Sequence, residues 1–299
     1  MKILLFGKDG QVGWELQRSL APLGELIALD SHSTELCGDF TNLAGVAQTV
    51  QSVAPDVIVN AAAHTAVDKA ESEPDLVRTI NALAPGVLAQ VAKRVNAWLV
   101  HYSTDYVFDG NGDKPWLETD ATTPLSVYGA TKLEGEQLIQ KSHCLHLIFR
   151  TSWVYGTRGG NFAKTMLRLA QERDSLKVIN DQIGAPTGAE LLADVTAHAL
   201  RAARRQPEMS GLYHLVAAGE TSWHGYASFV LDIARQSGIP LKVAPETIQP
   251  VPTSAFPTPA KRPHNSRMDT AKLQRTFDLS LPQWQSGVAR MLKELLEKE

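Results

Sequence analysis

Tyr128 and Lys132 stand four residues apart in a stretch, 126–140, whose pattern predicts a helix. Residues at i and i+4 share one helix face, so the phenol and the ammonium are neighbours. A cation beside a phenol lowers its pKa toward the working range. Such a tyrosine can deliver or accept a proton at a carbonyl oxygen. Thr104 adds a hydroxyl at the end of the apolar run 98–103, which predicts a strand. In an open α/β sheet the carboxyl ends of the strands face the ligand, where Thr104 can orient the same carbonyl oxygen. The blander readings are an amphipathic surface helix for the pair and a turn-capping hydroxyl for Thr104.

A second constellation opens the chain. Gly7-Lys8-Asp9-Gly10-Gln11-Val12-Gly13 follows the apolar run Ile3-Leu4-Leu5-Phe6 and leads into a helical pattern. One glycine permits the tight turn, one lets backbone N–H groups approach a pyrophosphate, and one lets the helix pack on the strand. The helix N-terminus favours the anion, and Gln11 and Val12 lie on that first turn. Asp30 closes the second apolar run, where an acid accepts hydrogen bonds from adenosine ribose hydroxyls. No arginine follows in Ser31–Thr34, so NADH is favoured over NADPH. Ala62, Ala63, His64 and Thr65 follow the strand 57–59; small residues there let a cofactor lie close. His64 reads as a loop histidine, and Tyr102 joins the cofactor residues at its strand end.

These residues need a frame. The chain has 299 residues, a formal net charge of −3, 43% hydrophobic and 20% charged residues, and two cysteines. That length can bury a full core. The charge balance argues against nucleic acid as a partner. Cys37 and Cys144 match no metal spacing. No run approaches the roughly 20 apolar residues of a membrane span, and a cytoplasmic protein is expected. Apolar runs alternate with helical patterns at 12–21, 43–53, 76–95 (interrupted near Pro85) and 126–140. That rhythm predicts an α/β fold, a Rossmann-type doubly wound parallel sheet. Residues 1–150 form the cofactor domain. Residues 151–299 form a smaller, substrate-binding domain, with some elements returning to the first. It holds helices over 161–173, 190–205, 222–237 and 282–296, a loop over 180–188 and a proline-rich, non-helical stretch over 244–263.

The glycine loop with YxxxK resembles the extended short-chain dehydrogenases. Ser103-Thr104-Asp105-Tyr106-Val107-Phe108-Asp109-Gly110 and Arg150-Thr151-Ser152-Trp153-Val154-Tyr155-Gly156 narrow the resemblance to the dTDP-4-dehydrorhamnose reductase family. Asp181–Thr187 and Arg262-Pro263 with Asn265-Ser266 extend it over essentially the whole chain. The resemblance implies NAD(P)H-dependent reduction of a 4-keto sugar nucleotide to dTDP-L-rhamnose, for cell-surface polysaccharide. It implies Tyr128, Lys132 and Thr104 as catalytic residues, Asp39-Phe40 at the adenine, and Thr104, Asp105 and Trp153 at the sugar. Arg262 is the candidate for the diphosphate. Some relatives are metal-dependent homodimers; Glu190 and Asp194, at i and i+4, are candidate Mg²⁺ ligands, though two carboxylates are too few for a cage. The rivals are a nucleotide-sugar epimerase or dehydratase, or a regulatory subunit without turnover. Intact Thr104, Tyr128 and Lys132 argue against the last.

Overall fold

The run Ile3-Leu4-Leu5-Phe6 has no accessible surface, so both of its faces are covered. In the computed structural model, which describes residues 1–296, it forms most of strand β1 (Lys2–Phe6). The other strands of its sheet are β2 (Glu25–Leu29), β3 (Val57–Asn60), β4 (Trp98–Thr104), β5 (His146–Thr151) and the strand Gly211–His214. The order across the sheet is Gly211–His214, β5, β4, β3, β1, β2. Every pairing is parallel. The chain thus winds one way from β1 to β2 and the other way from β3 to β5. The switch point lies between β1 and β3, and a ligand crevice belongs outside the strand ends there.

Alternation along β1 divides the core. Ile3 and Leu5 pack with Leu16 and Leu20 of α1 (Gln11–Leu20) and with Leu192 and Ala199, on one face of the sheet. Leu4 and Phe6 face the other way, toward Val46 and Val50 of α2 (Leu43–Val53) and the later helices. Each such side chain contributes about 1.5–3 kcal/mol by leaving water.

After β3 come α3 (Val67–Ala70), α4 (Pro74–Arg78) and α5 (Ala84–Val95). The interruption expected near Pro85 is a π-turn, Thr79–Leu83, just before it. Pro85 itself sits in the first turn of α5, where its missing N–H is harmless. Helix α6 (Val127–Ser142) starts at Ser126, whose hydroxyl accepts from the Gly129 N–H. The later helices are α7 (Phe162–Glu172), α8 (Ala189–Ala203), α9 (Trp223–Gln236), α10 (Ala271–Phe277) and α11 (Trp284–Leu296). Helices α7, α9 and α11 share a separate core of Ala163, Tyr226, Val230, Trp284 and Val288. Helix α8 and Gly211–His214 return to the large sheet.

The sequence reading missed short strands. The stretch 180–188 holds Ile183–Gly184 and Thr187–Gly188. In the proline-rich stretch, Ile248–Val251 pairs in parallel with Leu176–Ile179. No helix among the described residues is long and apolar enough to cross a membrane.

Candidate active site

The phosphate loop is built by contacts only glycine permits. Gly7 has φ +85°, and a Cβ there would lie 2.6 Å from the Ala62 nitrogen. A Cβ on Gly13 would lie 1.9 Å from the Gly7 carbonyl oxygen. Gly10 caps α1 without a side chain, which leaves the helix N-terminus free for an anion. Gly10, Gln11 and Val12 open onto a cleft of about 430 Å³. Ala63, Thr65, Tyr102, Thr104, Asp105, Tyr128, Lys132 and Trp153 line the same cleft. Three of its lining hydroxyls, on Ser103, Thr151 and Ser152, are buried without a partner. A free helix N-terminus and unpaired donors in one cleft fit a dinucleotide and a polyhydroxyl ligand.

Asp30 is not a bare carboxylate. Its Oδ2 lies 2.9 Å from Lys8 Nζ, and its Oδ1 accepts from the His32 N–H at 2.7 Å. The lysine, then that N–H, hold the carboxyl far below its ordinary range. Asp39 accepts from the N–H and hydroxyl of Thr41, while Phe40 is buried against Phe6. His64 is placed differently from its loop neighbours. Its side chain faces Glu73 at 3.8 Å, and its backbone is bracketed by Asn81, which accepts from the His64 N–H and donates to its carbonyl. His64 can therefore serve the cleft only through the loop it belongs to. The Tyr102 ring lines the cleft, but its hydroxyl meets Thr196 at 2.6 Å. Since Thr196 gives its own proton to the Leu192 carbonyl, the phenol donates.

Tyr128 and Lys132 share the inner face of α6, against the end of β4. Burial pushes the Tyr128 phenol up to about 12, opposed by a hydrogen bond with Thr104. The expectation of a lowered phenol therefore does not describe this site; burial outweighs the hydrogen bond with Thr104. Lys132 Nζ donates to the Tyr102 carbonyl at 2.5 Å and lies 3.3 Å from His101 Nε2. Burial pushes the amine down to about 8, with Glu136 opposing. Glu136 in turn is locked to Arg150 in a buried pair at 2.7 Å. Asp105 is buried; its carboxyl accepts from Thr104 at 3.2 Å and from Ser266 at 2.5 Å. Burial raises it to about 6 against those two donors.

Trp153 and Arg262 bound a second cavity, about 280 Å³, with Tyr106, Gln182 and Trp223. Trp153 holds a left-handed backbone, φ +50°, and Gly184 leaves room for its indole. Arg262 reaches back to Asp68 on α3 at 2.9 Å.

A family model described as the RmlD substrate binding domain matches residues 1–297. The dTDP-4-dehydrorhamnose reductase of Escherichia coli K12 is 66% identical over 295 residues, covering 99% of this chain and 98% of the relative. The chain belongs to the dTDP-4-dehydrorhamnose reductase family. Two solved members of that family superpose along the whole chain. The Clostridium acetobutylicum reductase has TM-score 0.87 and 38% identity, with 99% of each chain covered. The Bacillus anthracis reductase, solved in complex with NADP, has TM-score 0.86 and 36% identity, covering 98% of this chain and all of that one.

With this NAD(P)H-linked reductase family in view, several residues to which the sequence assigned no role stand out. Asn60, Asn81, His101 and Ser266 are buried polar side chains behind the cleft. For Asn60 and His101 the signal is a polar residue inside a buried strand, and for Asn81 one on the inner face of a helical turn; Ser266 lies in a loop and was marked only by the Asn265-Ser266 match. Trp223, stacked on Trp153, carried no signal apart from its type. The pair Glu190 and Asp194 is divided between two arginines. Glu190 lies 3.5 Å from Arg290, and Asp194 accepts from Arg18 and Ser19. Among the described residues, no group of three or more His, Cys, Asp or Glu could hold a metal. Among the described residues, Glu190 and Asp194 meet arginines rather than further carboxylates.

Proposed function

We propose that this chain reduces the 4-keto group of dTDP-4-dehydrorhamnose to give dTDP-L-rhamnose, using NADH or NADPH. One observation carries this reading. Thr104, Tyr128 and Lys132 share a cleft with a free helix N-terminus, in a chain two-thirds identical to reductases of that name. The reading assigns the cofactor to residues 1–150 and most of the sugar nucleotide to the remainder.

When bound, a reduced nicotinamide would supply the hydride. The chain's residues manage the oxygen. Tyr128, a phenol held in its protonated form by burial, donates its proton to the carbonyl oxygen as charge grows there. Thr104, joined to both Tyr128 and Asp105, orients that oxygen. Lys132 serves the cofactor ribose and the phenol. Acid–base help of this kind contributes on the order of 10²–10⁴-fold. Trp153 offers the sugar a flat apolar face. Arg262 supplies donors to the diphosphate, exchanging its contact with Asp68. Gly7, Gly10, Gln11, Val12 and Gly13 hold the pyrophosphate, Asp30 the ribose, and Asp39 with Phe40 the adenine.

The reading includes a modest NADH preference and a homodimer in the cytoplasm. Glu190 lines a surface cleft with Glu15, Glu294, Arg18 and exposed Trp14, and a metal there would be completed by a partner chain or waters.

The test is direct. Purified protein is mixed with NADH or NADPH and the 4-keto-6-deoxy nucleotide sugar, and the absorbance of the reduced cofactor is followed. A reductase consumes cofactor in step with substrate over many turnovers. Consumption no greater than the enzyme present favours an epimerase, a dehydratase or a binding subunit.

A further inference from the structure

Behind Lys132 lies a buried polar chain whose hydrogen-bond directions can be solved. Asn60 and His101 are paired residues on adjacent strands β3 and β4, each 1% exposed. The Asn60 oxygen faces the Ala62 N–H at 3.0 Å. A backbone N–H only donates, so the atom it meets must be the amide oxygen. The Asn60 nitrogen therefore faces His101 Nδ1, 3.0 Å away. An amide nitrogen also only donates, so Nδ1 must accept. Burial holds the ring neutral. A neutral imidazole that accepts at Nδ1 carries its proton on Nε2, and Nε2 lies 3.3 Å from Lys132 Nζ.

The geometry points to His101 as a positioning residue for the proposed reaction: its Nε2–H donates to Lys132 Nζ and favours the amine form of that lysine in the resting site. An ammonium at that position would set donor against donor. The remaining groups around the lysine are accounted for. On its own helix Tyr128 is a neutral phenol and Glu136 favours the ammonium. From β5, Arg150 is committed to Glu136. From β4, the Tyr102 carbonyl accepts from either form of the lysine, and Asp105 beyond it is held by Thr104 and Ser266. On the π-turn before α5, Asn81 is occupied by His64. His101 is thus the group whose direction discriminates ammonium from amine. It makes the lysine ready to gain and lose a proton, where a carboxylate partner would fix it as a cation.

This inference rests on the reductase reading for its kinetic consequence, but its first measurement needs no turnover. Full-length protein labelled with ¹⁵N-histidine reports the tautomer of each ring in long-range ¹H–¹⁵N spectra. A neutral Nε2–H ring that disappears in His101→Gln is the expected result; an Nδ1–H or protonated ring at 101 overturns the proposal. The second measurement is the pH profile of kcat/KM. His101→Met removes the donor and should move the alkaline limb upward by about one to two pH units. His101→Gln, whose oxygen can accept from Asn60 while its nitrogen donates toward Lys132, should keep the parental limb. Asn60→Asp reverses the polarity, since a carboxylate would draw the ring proton to Nδ1, and should also raise the limb. A folded His101→Met with the parental limb overturns the proposal. Should the parent consume no cofactor with the keto sugar, the reductase reading fails, and the tautomer spectrum still decides the role of His101.

Discussion

The indole of Trp153 lies flat on that of Trp223, ring centroids 3.6 Å apart and planes 15° from parallel. Trp153 follows β5 and lines both cavities of the site; Trp223 opens α9 and lines only the second. The stack therefore joins the sheet to the later helices at the wall where a sugar nucleotide would rest. Trp153→Ala should raise KM for the sugar nucleotide about tenfold and leave the Kd for NADH nearly unchanged, because aromatic contacts of this kind contribute about 0.5–1.5 kcal/mol beyond the area they bury. Trp223→Ala should reproduce a weaker form of the same change. Loss of NADH binding in either variant, measured by fluorescence titration, would show that the stack supports the fold and not the substrate.

Tyr128→Phe should lose roughly 10²–10⁴-fold in kcat while keeping its affinity for the cofactor. The ring still packs edge-on against Tyr106, centroids 5.5 Å apart; only the proton donor is gone. Near-parental turnover in stopped-flow assays would remove Tyr128 from the role of acid.

Asp105 makes a pH-dependent contribution to stability. Burial raises its carboxyl to about 6, from an ordinary value near 3.8. Between those two values the folded chain binds more protons than the unfolded chain. Stability must then fall as pH rises through the window, by roughly 3 kcal/mol when ionisation is complete. Asp105→Asn removes this contribution. In urea titrations, the stability difference between parent and variant should shift between pH 4 and pH 7 in favour of the variant. A difference that is flat across that range would mean that Ser266 and Thr104 offset the burial fully.

The parts of this site that were legible in the sequence are those that local chemistry dictates. Gly7 and Gly13 announce themselves because no other residue fits, and Tyr128 with Lys132 because four residues make one helical turn. The doubly wound sheet follows from apolar runs alternating with helical ones. What stayed hidden depends on pairing across the chain. The register that sets Asn60 beside His101 joins residues far apart in sequence, as does the reach of Ser266 to Asp105. The strand Ile248–Val251 was hidden by Pro250 and the prolines that flank it; at a two-stranded sheet edge Pro250 needs no N–H for the ladder. Asp194 looked like a ligand on its helix, and only the fold shows that Arg18 and Ser19 already occupy it.

The last prediction concerns the cofactor. An acid at the end of β2 accepts hydrogen bonds from ribose hydroxyls and repels a 2′-phosphate. Here Lys8, inside the phosphate loop, sits 2.9 Å from that acid, so much of the repulsion is cancelled locally. Both groups are partly exposed, and solvent screening weakens the remainder. The preference for NADH should therefore be modest, with NADPH a working substitute. Two substitutions should move it in opposite directions. Asp30→Ala removes the ribose acceptor and leaves Lys8 to meet a phosphate, so the ratio of kcat/KM for NADPH over NADH should rise. Lys8→Met uncovers the carboxylate, so the same ratio should fall. The two ratios are measured at low and at high salt, since screening should draw both toward the parental value. If Lys8→Met leaves the ratio unchanged while Asp30→Ala raises it, the lysine serves the pyrophosphate and not the choice between cofactors. If neither variant changes it, the ribose is read by residues other than this pair.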